Sequence, residues 1–326
     1  MPKRYDLVVV GGATEDIFFT VDDAVLVDNP GDLLRQKLIG FEYGAKIGVK
    51  ELNFSCGGGA SNVSVGASCL SLKTAVITTV GKDERGKKIL DNFKLYKIES
   101  RVEIVKQGLS GVSFILIAPD KEHVVFTYRG VNGDLKIGKR EAKLLSLAKR
   151  TYLTSLSGGW RKLLPLLFSA SNKVFWNPGR EQLQAGYAVL KPYLQQIEIL
   201  SLNKDEALEL LLSDKKRKEK VNASSSLPTL LKILSSYGPQ ICIITDGAKG
   251  AYAYDGRRVY RQEAIKPKKI TDTTGVGDSF GSGFVSGLEL YHGDISKALK
   301  LAARNASSVI AQAGSQNGLL RIKRKR

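Results

Sequence analysis

Short apolar runs and amphipathic segments alternate along most of the chain. The apolar runs at residues 5–10 (YDLVVV) and 74–81 (TAVITTVG) read as buried strands. Residues 87–96 (KKILDNFKLY) have helical spacing, and the pair 150–156 and 160–170 repeats the order of strand and helix. This repeated alternation predicts a mostly parallel sheet with right-handed crossovers.

Two stretches break this rhythm, at residues 17–52 and 108–130. The first has short alternating pieces interrupted by Asp, Asn, Pro and Gly, which indicate strands and loops. The second contains VSFILIA and HVVFTYRG, which the tetrapeptide PDKE joins as a predicted hairpin. We therefore expect a small β-sheet that is inserted in two parts.

The composition excludes several classes of protein. A chain of 326 residues with 43% hydrophobic residues can bury a large core. Three cysteines without a Cys-x-x-Cys pair argue against a disulfide framework and a structural zinc site. The two histidines, His123 and His292, lie near no nucleophile motif and read as loop or surface residues. No run approaches a membrane helix, so we expect a soluble, cytoplasmic protein with no membrane partner.

The net charge of +18 is concentrated in part at residues 215–220 (KKRKEK) and 321–326 (RIKRKR). A basic surface suits nucleic acid, but it equally suits a small anionic ligand. No basic motif with interleaved aromatic residues is present, so nucleic acid is disfavoured as a partner.

Residues 81–88 (GKDERGKK) come within one residue of a phosphate-binding P-loop. Lys88 replaces the hydroxyl residue that would hold Mg²⁺, and Asp83 and Glu84 would repel phosphate inside the loop. We interpret this segment as an ordinary β–α turn.

Residues 271–284 (TDTTGVGDSFGSGF) have better chemistry for a phosphate. Gly275 and Gly277 allow successive backbone N–H groups to face an anion at the start of a helix predicted over Phe280–Leu290. Asp278 could accept a proton from a hydroxyl there, while the amides stabilise the transferring charge. The alternative is that Asp278 is only an N-cap and the glycines form a tight turn.

The same segment resembles the second signature of the ribokinase-like, or PfkB, family of carbohydrate and nucleoside kinases. Residues 54–90 resemble the first signature, including a glycine pair and the Asn after it. Four shorter matches follow in family order: VVGGATED near the start, NKDE at 203–206, TDGAKG at 245–250 and AARNAS at 302–307.

The resemblance implies a three-layer α/β/α sandwich with a central, mostly parallel sheet and a small β-sheet lid. The nucleotide-binding core would comprise residues 1–16, 53–107 and 131–320, with 17–52 and 108–130 as the lid and 321–326 as a basic tail. The lid covers the sugar in this family and often mediates homodimers.

The resemblance also implies ATP-dependent transfer of the γ-phosphoryl group to a hydroxymethyl group of a sugar. Asp278 would be the catalytic base, and the backbone of Gly275, Val276 and Gly277 the anion hole. The residues that match nucleotide-binding positions are Asn203, Glu206, Thr245, Gly247, Gly250 and Asn305. Glu206 would organise Mg²⁺ indirectly, although its alternative is an exposed helix carboxylate. Asp272 and Thr274 match the flank of a K⁺ site in cation-dependent members.

On the acceptor side, the matching positions are Thr14, Asp16, Gly57, Gly58, Asn62 and Arg129. Thr14 and Gly59 depart from the residues usual in ribokinases, which weakens ribose as the acceptor. The string GGGASN is nearer to some nucleoside kinases, whereas Arg129 suits an acidic or phosphorylated sugar. A nucleoside kinase and a non-catalytic nucleotide- or nucleic-acid-binding relative are the alternative functions.

Overall fold

The computed structural model describes residues 4–21, 23–31, 37–118, 123–217, 221–222 and 224–323. Within these ranges, nine strands form one large sheet. In spatial order they are β15 (Val259–Gln262), β14 (Ala251–Tyr254), β13 (Ile241–Thr245), β12 (Ile199–Asn203), β11 (Val174–Trp176), β10 (Ala148–Leu153), β1 (Tyr5–Val10), β6 (Thr74–Gly81) and β7 (Glu99–Val105). The strands from β13 to β7 pair in parallel, and β14 and β15 are antiparallel.

Helices cover both faces of this sheet, and each face has its own apolar core. One face carries α3 (Lys139–Ser146), α4 (Trp160–Ala170), α5 (Arg180–Gln184), α6 (Gly186–Leu194), α7 (Lys204–Leu212) and α8 (Leu227–Ser235). The other face carries α1 (Gly59–Cys69), α2 (Glu84–Leu95), α9 (Val276–Leu290) and α10 (Ile295–Ile310). The prediction of a three-layer sandwich with a mostly parallel sheet is confirmed.

The segment that resembles a P-loop is a capped turn. Asp83 is the N-cap of α2, and its carboxylate accepts a hydrogen bond from Gly86 N at 2.8 Å. The same carboxylate accepts from the backbone N and the hydroxyl of Ser110. These bonds fill the place where a P-loop would hold phosphate, so the interpretation as an ordinary β–α turn is confirmed.

A second, four-stranded sheet has the order β5 (Val49–Gly57), β2 (Thr14–Val21), β8 (Gly111–Ile117) and β9 (His123–Tyr128). Strands from both predicted insertions therefore meet in one sheet. β2 and β5 each cross a predicted boundary between the core and the lid, the one after residue 16 and the one before residue 53. β8 and β9 pair antiparallel as expected for the hairpin, while its turn residues 119–122 lie outside the described residues. A separate ribbon pairs β3 (Val25–Asp28) with β4 (Lys37–Gly40).

Parts of the two basic segments, residues 218–220 and 324–326, also lie outside the described residues. In the part of the chain that is described, every helix is too short or too polar to cross a membrane.

Candidate active site

The glycine-rich segment forms the entrance of α9. Gly275 is the N-cap residue with φ 72°, and the helix begins at Val276, earlier than the sequence predicted. A Cβ on Gly275 would lie 2.3 Å from the Cβ of Ser315, so both the backbone conformation and the close approach require glycine. Asp278 consequently lies in the first turn of the helix, and the interpretation of Asp278 as its N-cap is wrong.

A directed hydrogen bond orients the Asp278 carboxylate. Asn62 Nδ2 donates to Asp278 Oδ2 at 2.9 Å. The Asn62 Oδ1 atom accepts from Ser315 Oγ at 2.9 Å and from Gln316 Nε2 at 3.1 Å. Because both of these partners donate, the amide nitrogen of Asn62 must face the carboxylate.

This network contains two residues that the sequence analysis missed. Gln316 Nε2 also donates to Ser61 Oγ, and Gln316 Oε1 accepts from Asn92 Nδ2 of α2, each at 2.8 Å. Ser315 and Gln316 belong to the loop after α10, outside every motif, and only their place in the fold connects them to Asp278.

Burial raises the pKa of Asp278 to about 6, the hydrogen bond from Asn62 opposes this rise, and the charge of Asp16 adds to it. At neutral pH the carboxylate is therefore mostly ionised while its affinity for a proton is increased. This is the range in which a carboxylate works best as a general base.

Backbone amides at the start of α9 lie beside this carboxylate. The first turn of a helix has no intrahelical partners for its N–H groups, and they carry the positive end of the helix dipole. The N–H of Val276 contacts Thr273 O at a long 3.5 Å. Gly277 is exposed, and nothing lies within 4 Å of the place of its missing Cβ. The arrangement can therefore accept an anion from the open side.

Asp16 lies in β2 and is buried. Thr14 Oγ1 donates to Asp16 Oδ1 at 2.7 Å, so the hydroxyl of Thr14 holds the carboxylate. A Cβ on Gly57 would lie 1.7 Å from Asp16 Oδ2, which means that this carboxylate occupies the space that only glycine leaves. Burial raises the pKa of Asp16 to about 6; hydrogen bonds from Thr14 and Ser113 oppose the rise.

The remaining acceptor-side residues occupy different environments. Gly58 has φ 84°, and a Cβ there would lie 2.7 Å from Gly12 O. Arg129 is exposed at the end of the small sheet, directly before a short 3-10 turn. The sequence analysis missed Asn132 of this turn, whose amide pairs with both backbone groups of Ala13 and fixes the approach to β2.

Asn203 and Glu206 form a reciprocal cap at the start of α7. Glu206 N donates to Asn203 Oδ1 and Asn203 N donates to Glu206 Oε2, both at 2.8 Å. Burial raises the pKa of Glu206 to about 7, opposed by the backbone hydrogen bond from Asn203, and the charges of Glu209, Asp205 and Asp278 add to the rise. This carboxylate is half-buried, and its environment differs from that of an ordinary exposed helix carboxylate.

The predicted nucleotide loop is a tight turn between two strands. Thr245 ends β13, and Gly247 and Gly250 both have positive φ, at 50° and 92°. A Cβ on Gly250 would lie 2.2 Å from Gln262 O. Asn305 is fully buried in α10, where Nδ2 donates to Ser279 O and Oδ1 accepts from Leu320 N. Both ends of its amide are thus engaged within the protein.

Asp272 and Thr274 lie on the loop that leads to Gly275. The buried carboxylate of Asp272 accepts from Thr274 N at 2.8 Å and from Gly314 N at 2.9 Å. Thr274 Oγ1 is buried without a hydrogen-bond partner. An orphaned hydroxyl oxygen beside a carboxylate fits a cation with oxygen ligands.

Tyr152 of β10 is a further residue that the motifs did not reveal. Its ring stacks on Phe175, and its hydroxyl lies 2.0 Å from where a Cβ on Gly281 would be. The helix α9 can therefore approach the sheet only with glycine at position 281. Burial raises the pKa of Tyr152 well above its ordinary value, and the charges of Asp278 and Glu206 add to this.

A doubly covered, mostly parallel sheet with a glycine-rich helix entrance beside an oriented carboxylate is an arrangement typical of α/β phosphotransferases. The match to the model of the pfkB family of carbohydrate kinases covers residues 31–322. The chain belongs to this family and is an ATP-dependent phosphotransferase with an alcohol group as acceptor. Membership favours the enzymatic interpretation over a non-catalytic relative.

Known proteins place the chain among sugar and nucleoside kinases. An uncharacterised sugar kinase of Archaeoglobus fulgidus is 26% identical over 268 residues, which is 79% of this chain and 99% of that protein. The structure of ribokinase from Giardia lamblia superimposes with a TM-score of 0.78 at 20% identity, covering 97% of this chain and 96% of that chain. A Burkholderia thailandensis nucleoside kinase, solved with inosine, gives 0.75 at 18% identity, covering 96% and 94%.

Proposed function

We propose that this chain transfers the γ-phosphoryl group of ATP to a hydroxymethyl group of a sugar, with Asp278 as the catalytic base. The observation that carries the proposal is the orientation of the Asp278 carboxylate by Asn62 at the N-terminus of α9. A lone carboxylate would repel a bound phosphate, so its place beside the amides at the start of α9 suits proton removal from a nucleophile.

In the proposed reaction, the Asp278 carboxylate takes the proton of the acceptor hydroxyl. The hydroxyl oxygen then forms a bond to the γ-phosphorus as the bond to the β-phosphate oxygen breaks, and ADP leaves. The amides of Gly275, Val276 and Gly277 stabilise the negative charge on the transferring group. Asp16 binds acceptor hydroxyls and places them near Asp278.

Asn203 and Glu206 are the residues proposed to organise Mg²⁺ with the nucleotide phosphates. Among the described residues no three His, Cys, Asp or Glu side chains gather to hold a metal. Mg²⁺ usually keeps several waters and binds through one or two carboxylates and the phosphates, so a single carboxylate beside the nucleotide suffices. Bound Mg²⁺ supplies charge neutralisation at the phosphates.

The environment of Asp272 and Thr274 supports K⁺ as an additional cofactor, because the hydroxyl of Thr274 is buried without a hydrogen-bond partner two residues from the buried Asp272 carboxylate. Replacing K⁺ in the assay by tetramethylammonium at equal ionic strength should lower the rate. An unchanged rate would remove this cation from the proposal.

We assign the small sheet, with residues 17–52 and 108–130, as a lid over the acceptor. Asp16 and Ser113 lie on one face of this sheet, and the same face continues to Phe18 and Ile115. A lid that closes there excludes water, which would otherwise compete as the acceptor.

A nucleoside is the second candidate acceptor, because a cavity adjoins the Asp16 face of the small sheet. Its volume is about 260 Å³. Phe18, Ile117 and Ile270 give it apolar walls, and Asn53 adds an amide. A flat base attached to a sugar needs such a mixture of apolar surface and directed hydrogen bonds. The nucleoside kinase solved with inosine has the same fold.

The opposite face of the small sheet supports homodimer formation. Phe54, Phe114 and Phe126 lie in one row across the strands, and each is at least 42% exposed. A contiguous apolar face of this kind commonly marks a protein interface. Sedimentation of wild type and Phe126→Glu tests this part of the proposal, since the charge should shift the protein to monomer.

An ATP-consumption assay across sugars, sugar phosphates and nucleosides tests the proposed reaction. Asp278→Asn keeps the size of the side chain and should lower turnover by roughly 10²- to 10⁴-fold with folding intact. A single acceptor that drives ADP formation in wild type would name the substrate class. A near-wild-type rate in Asp278→Asn would contradict the role of the base.

A further inference from the structure

His123, at the start of β9, lies within hydrogen-bond distance of Thr273, in the loop that leads to α9. His123 Nδ1 and Thr273 Oγ1 are 2.9 Å apart, although the two residues are 150 positions apart in the sequence. The sequence analysis interpreted His123 as a loop or surface residue, and the structure instead places it half-buried in β9, against the loop before α9.

Thr273 belongs to the segment that sets the backbone before α9. Its neighbours Asp272 and Thr274 are joined by a side-chain to backbone bond of 2.8 Å, and Gly275 follows as the N-cap. Asp272 also ties this loop to Gly314. A side chain that holds Thr273 therefore acts on the same short loop that presents the amides of residues 275–277.

On the other side, His123 belongs to the edge strand of the small sheet. It pairs with Ile117 of β8, whose side chain lines the cavity beneath the sheet. The facing wall of that cavity includes Ile270 and Thr271, which directly precede Thr273 in the loop. The His123–Thr273 contact thus joins the small sheet to the loop before α9, and both of these elements contribute residues to the cavity wall.

We propose that the His123–Thr273 hydrogen bond holds the small sheet closed over the acceptor cavity and orders the loop before α9 in the same step. His123 is a positioning residue, because it acts through Thr273 and not on the reacting atoms. The proposal rests on the proposed function of the small sheet as a lid. It adds a defined contact that couples closure of the lid to the shape of the anion-binding backbone.

Hydrogen–deuterium exchange on the full chain tests the coupling without any acceptor. The variants are His123→Ala, Thr273→Val and the double variant, and His292→Asn is the matched control at the other histidine. His292 has φ 51°, a conformation that Asn tolerates, and it lies in the turn after α9. Loss of one net hydrogen bond shifts an opening equilibrium by about 2- to 10-fold.

We expect both single variants to speed amide exchange about 2- to 10-fold in residues 123–128 and in residues 271–277. The double variant should exchange no faster than Thr273→Val, since that variant has already lost the bond to His123. Thr273→Ser keeps the hydroxyl and should restore wild-type exchange. His292→Asn should change neither region.

Unchanged exchange at 271–277 in His123→Ala would overturn the coupling, as would effects that multiply in the double variant. Should His123→Ala fail to fold, the comparison of Thr273→Val with Thr273→Ser decides in its place.

A second readout uses ATP with Mg²⁺ and no acceptor, where water is the only nucleophile. ADP formation should rise about 2- to 10-fold in both single variants, and rates equal to that of wild type would contradict a role in excluding water.

Asp278→Asn distinguishes failure of the proposed base from failure of the proposed coupling. If it retains acceptor phosphorylation, the proposed base is wrong while the exchange result stands; if it is inactive and exchange is unchanged in His123→Ala, only the coupling fails.

Discussion

Asn62 and Asp278 are joined by a 2.9 Å hydrogen bond across 216 positions of sequence. The bond links α1 to the first turn of α9, and Ser315 and Gln316 fix which end of the amide faces the carboxylate. It opposes the effect of burial on the pKa of Asp278, which is raised to about 6. The bond therefore sets both the direction and the basicity of the proposed base.

Removing this amide should shift the pH dependence of the reaction. A hydrogen bond to the ionised carboxylate favours that form, so Asn62→Ala raises the pKa of Asp278 further. The acidic limb of the kcat/KM profile should consequently move to higher pH. Ser64→Ala is the control, because Ser64 lies on the same helix and its hydroxyl donates to Ser61 O instead of to Asp278. Profiles that coincide for wild type and Asn62→Ala would show that Asp278 does not govern this limb.

Because Gly281 lies in close contact with Tyr152, we expect that a change at Tyr152 restores part of the stability lost on substituting Gly281. Gly281→Ala should lower the free energy of unfolding by about 1–3 kcal/mol, because the new methyl group meets the phenol oxygen. In a Tyr152→Phe background this cost should shrink, since the oxygen is the atom in closest contact. Urea unfolding of the two single variants and the double variant measures the coupling. Strictly additive costs would rule out the contact.

Asp16 should destabilise the folded protein at neutral pH. Its pKa rises from 3.8 to about 6 on folding, so the folded state binds more protons between these values. The free energy of unfolding therefore falls by about 3 kcal/mol as the pH rises through this window, and below it the cost is absent. Asp16→Asn should be more stable than wild type at pH 7, lose this advantage near pH 4 and have weakened acceptor binding.

Thermal unfolding of both proteins at intervals between pH 4 and pH 8 checks the sign. A stability difference that does not vary with pH would show that the Asp16 carboxylate titrates equally in both states.

Glu206 has two proposed roles, capping α7 through a hydrogen bond and supplying a negative charge for Mg²⁺, and Glu206→Gln tests them separately. Glutamine can still accept the hydrogen bond from Asn203 N, so stability should change little. Loss of the charge should raise the Mg²⁺ concentration for half-maximal activity about 10- to 100-fold, by analogy with residues that support metal ligands. Glu141→Gln is the control, because Glu141 caps α3 in the same way and matches no predicted site residue. Equal Mg²⁺ dependence in wild type and Glu206→Gln would remove Glu206 from the metal site.

The Mg²⁺ requirement should also depend on pH. Because the pKa of Glu206 is raised to about 7, the carboxyl is largely protonated at pH 6 and largely ionised at pH 8. More Mg²⁺ should therefore be needed for half-maximal activity at pH 6 than at pH 8. In Glu206→Gln this difference should shrink.

The alternation of strands and helices predicted the fold because each element must bury an apolar face. The spacing of apolar residues within each element therefore shows whether it is a strand or a helix. The runs at 5–10 and 74–81 became β1 and β6, and the irregular stretches became the small sheet. The start of α9 was predicted too late, at Phe280 instead of Val276. The apolar pattern does not show the left-handed conformation of Gly275 or its close approach to Ser315, because both arise from packing between distant segments.

By itself the sequence determined the strand and helix order, the family and the identity of Asp278 as a candidate base, since these depend on residue type and local spacing. The tertiary structure decided which groups meet. The places of Ser315, Gln316, Asn132 and Tyr152, and the contact of His123 with Thr273, arise from packing between segments far apart in the chain. Hydrogen bonds and pKa values depend on distances of a few ångströms between such segments, which no local pattern encodes.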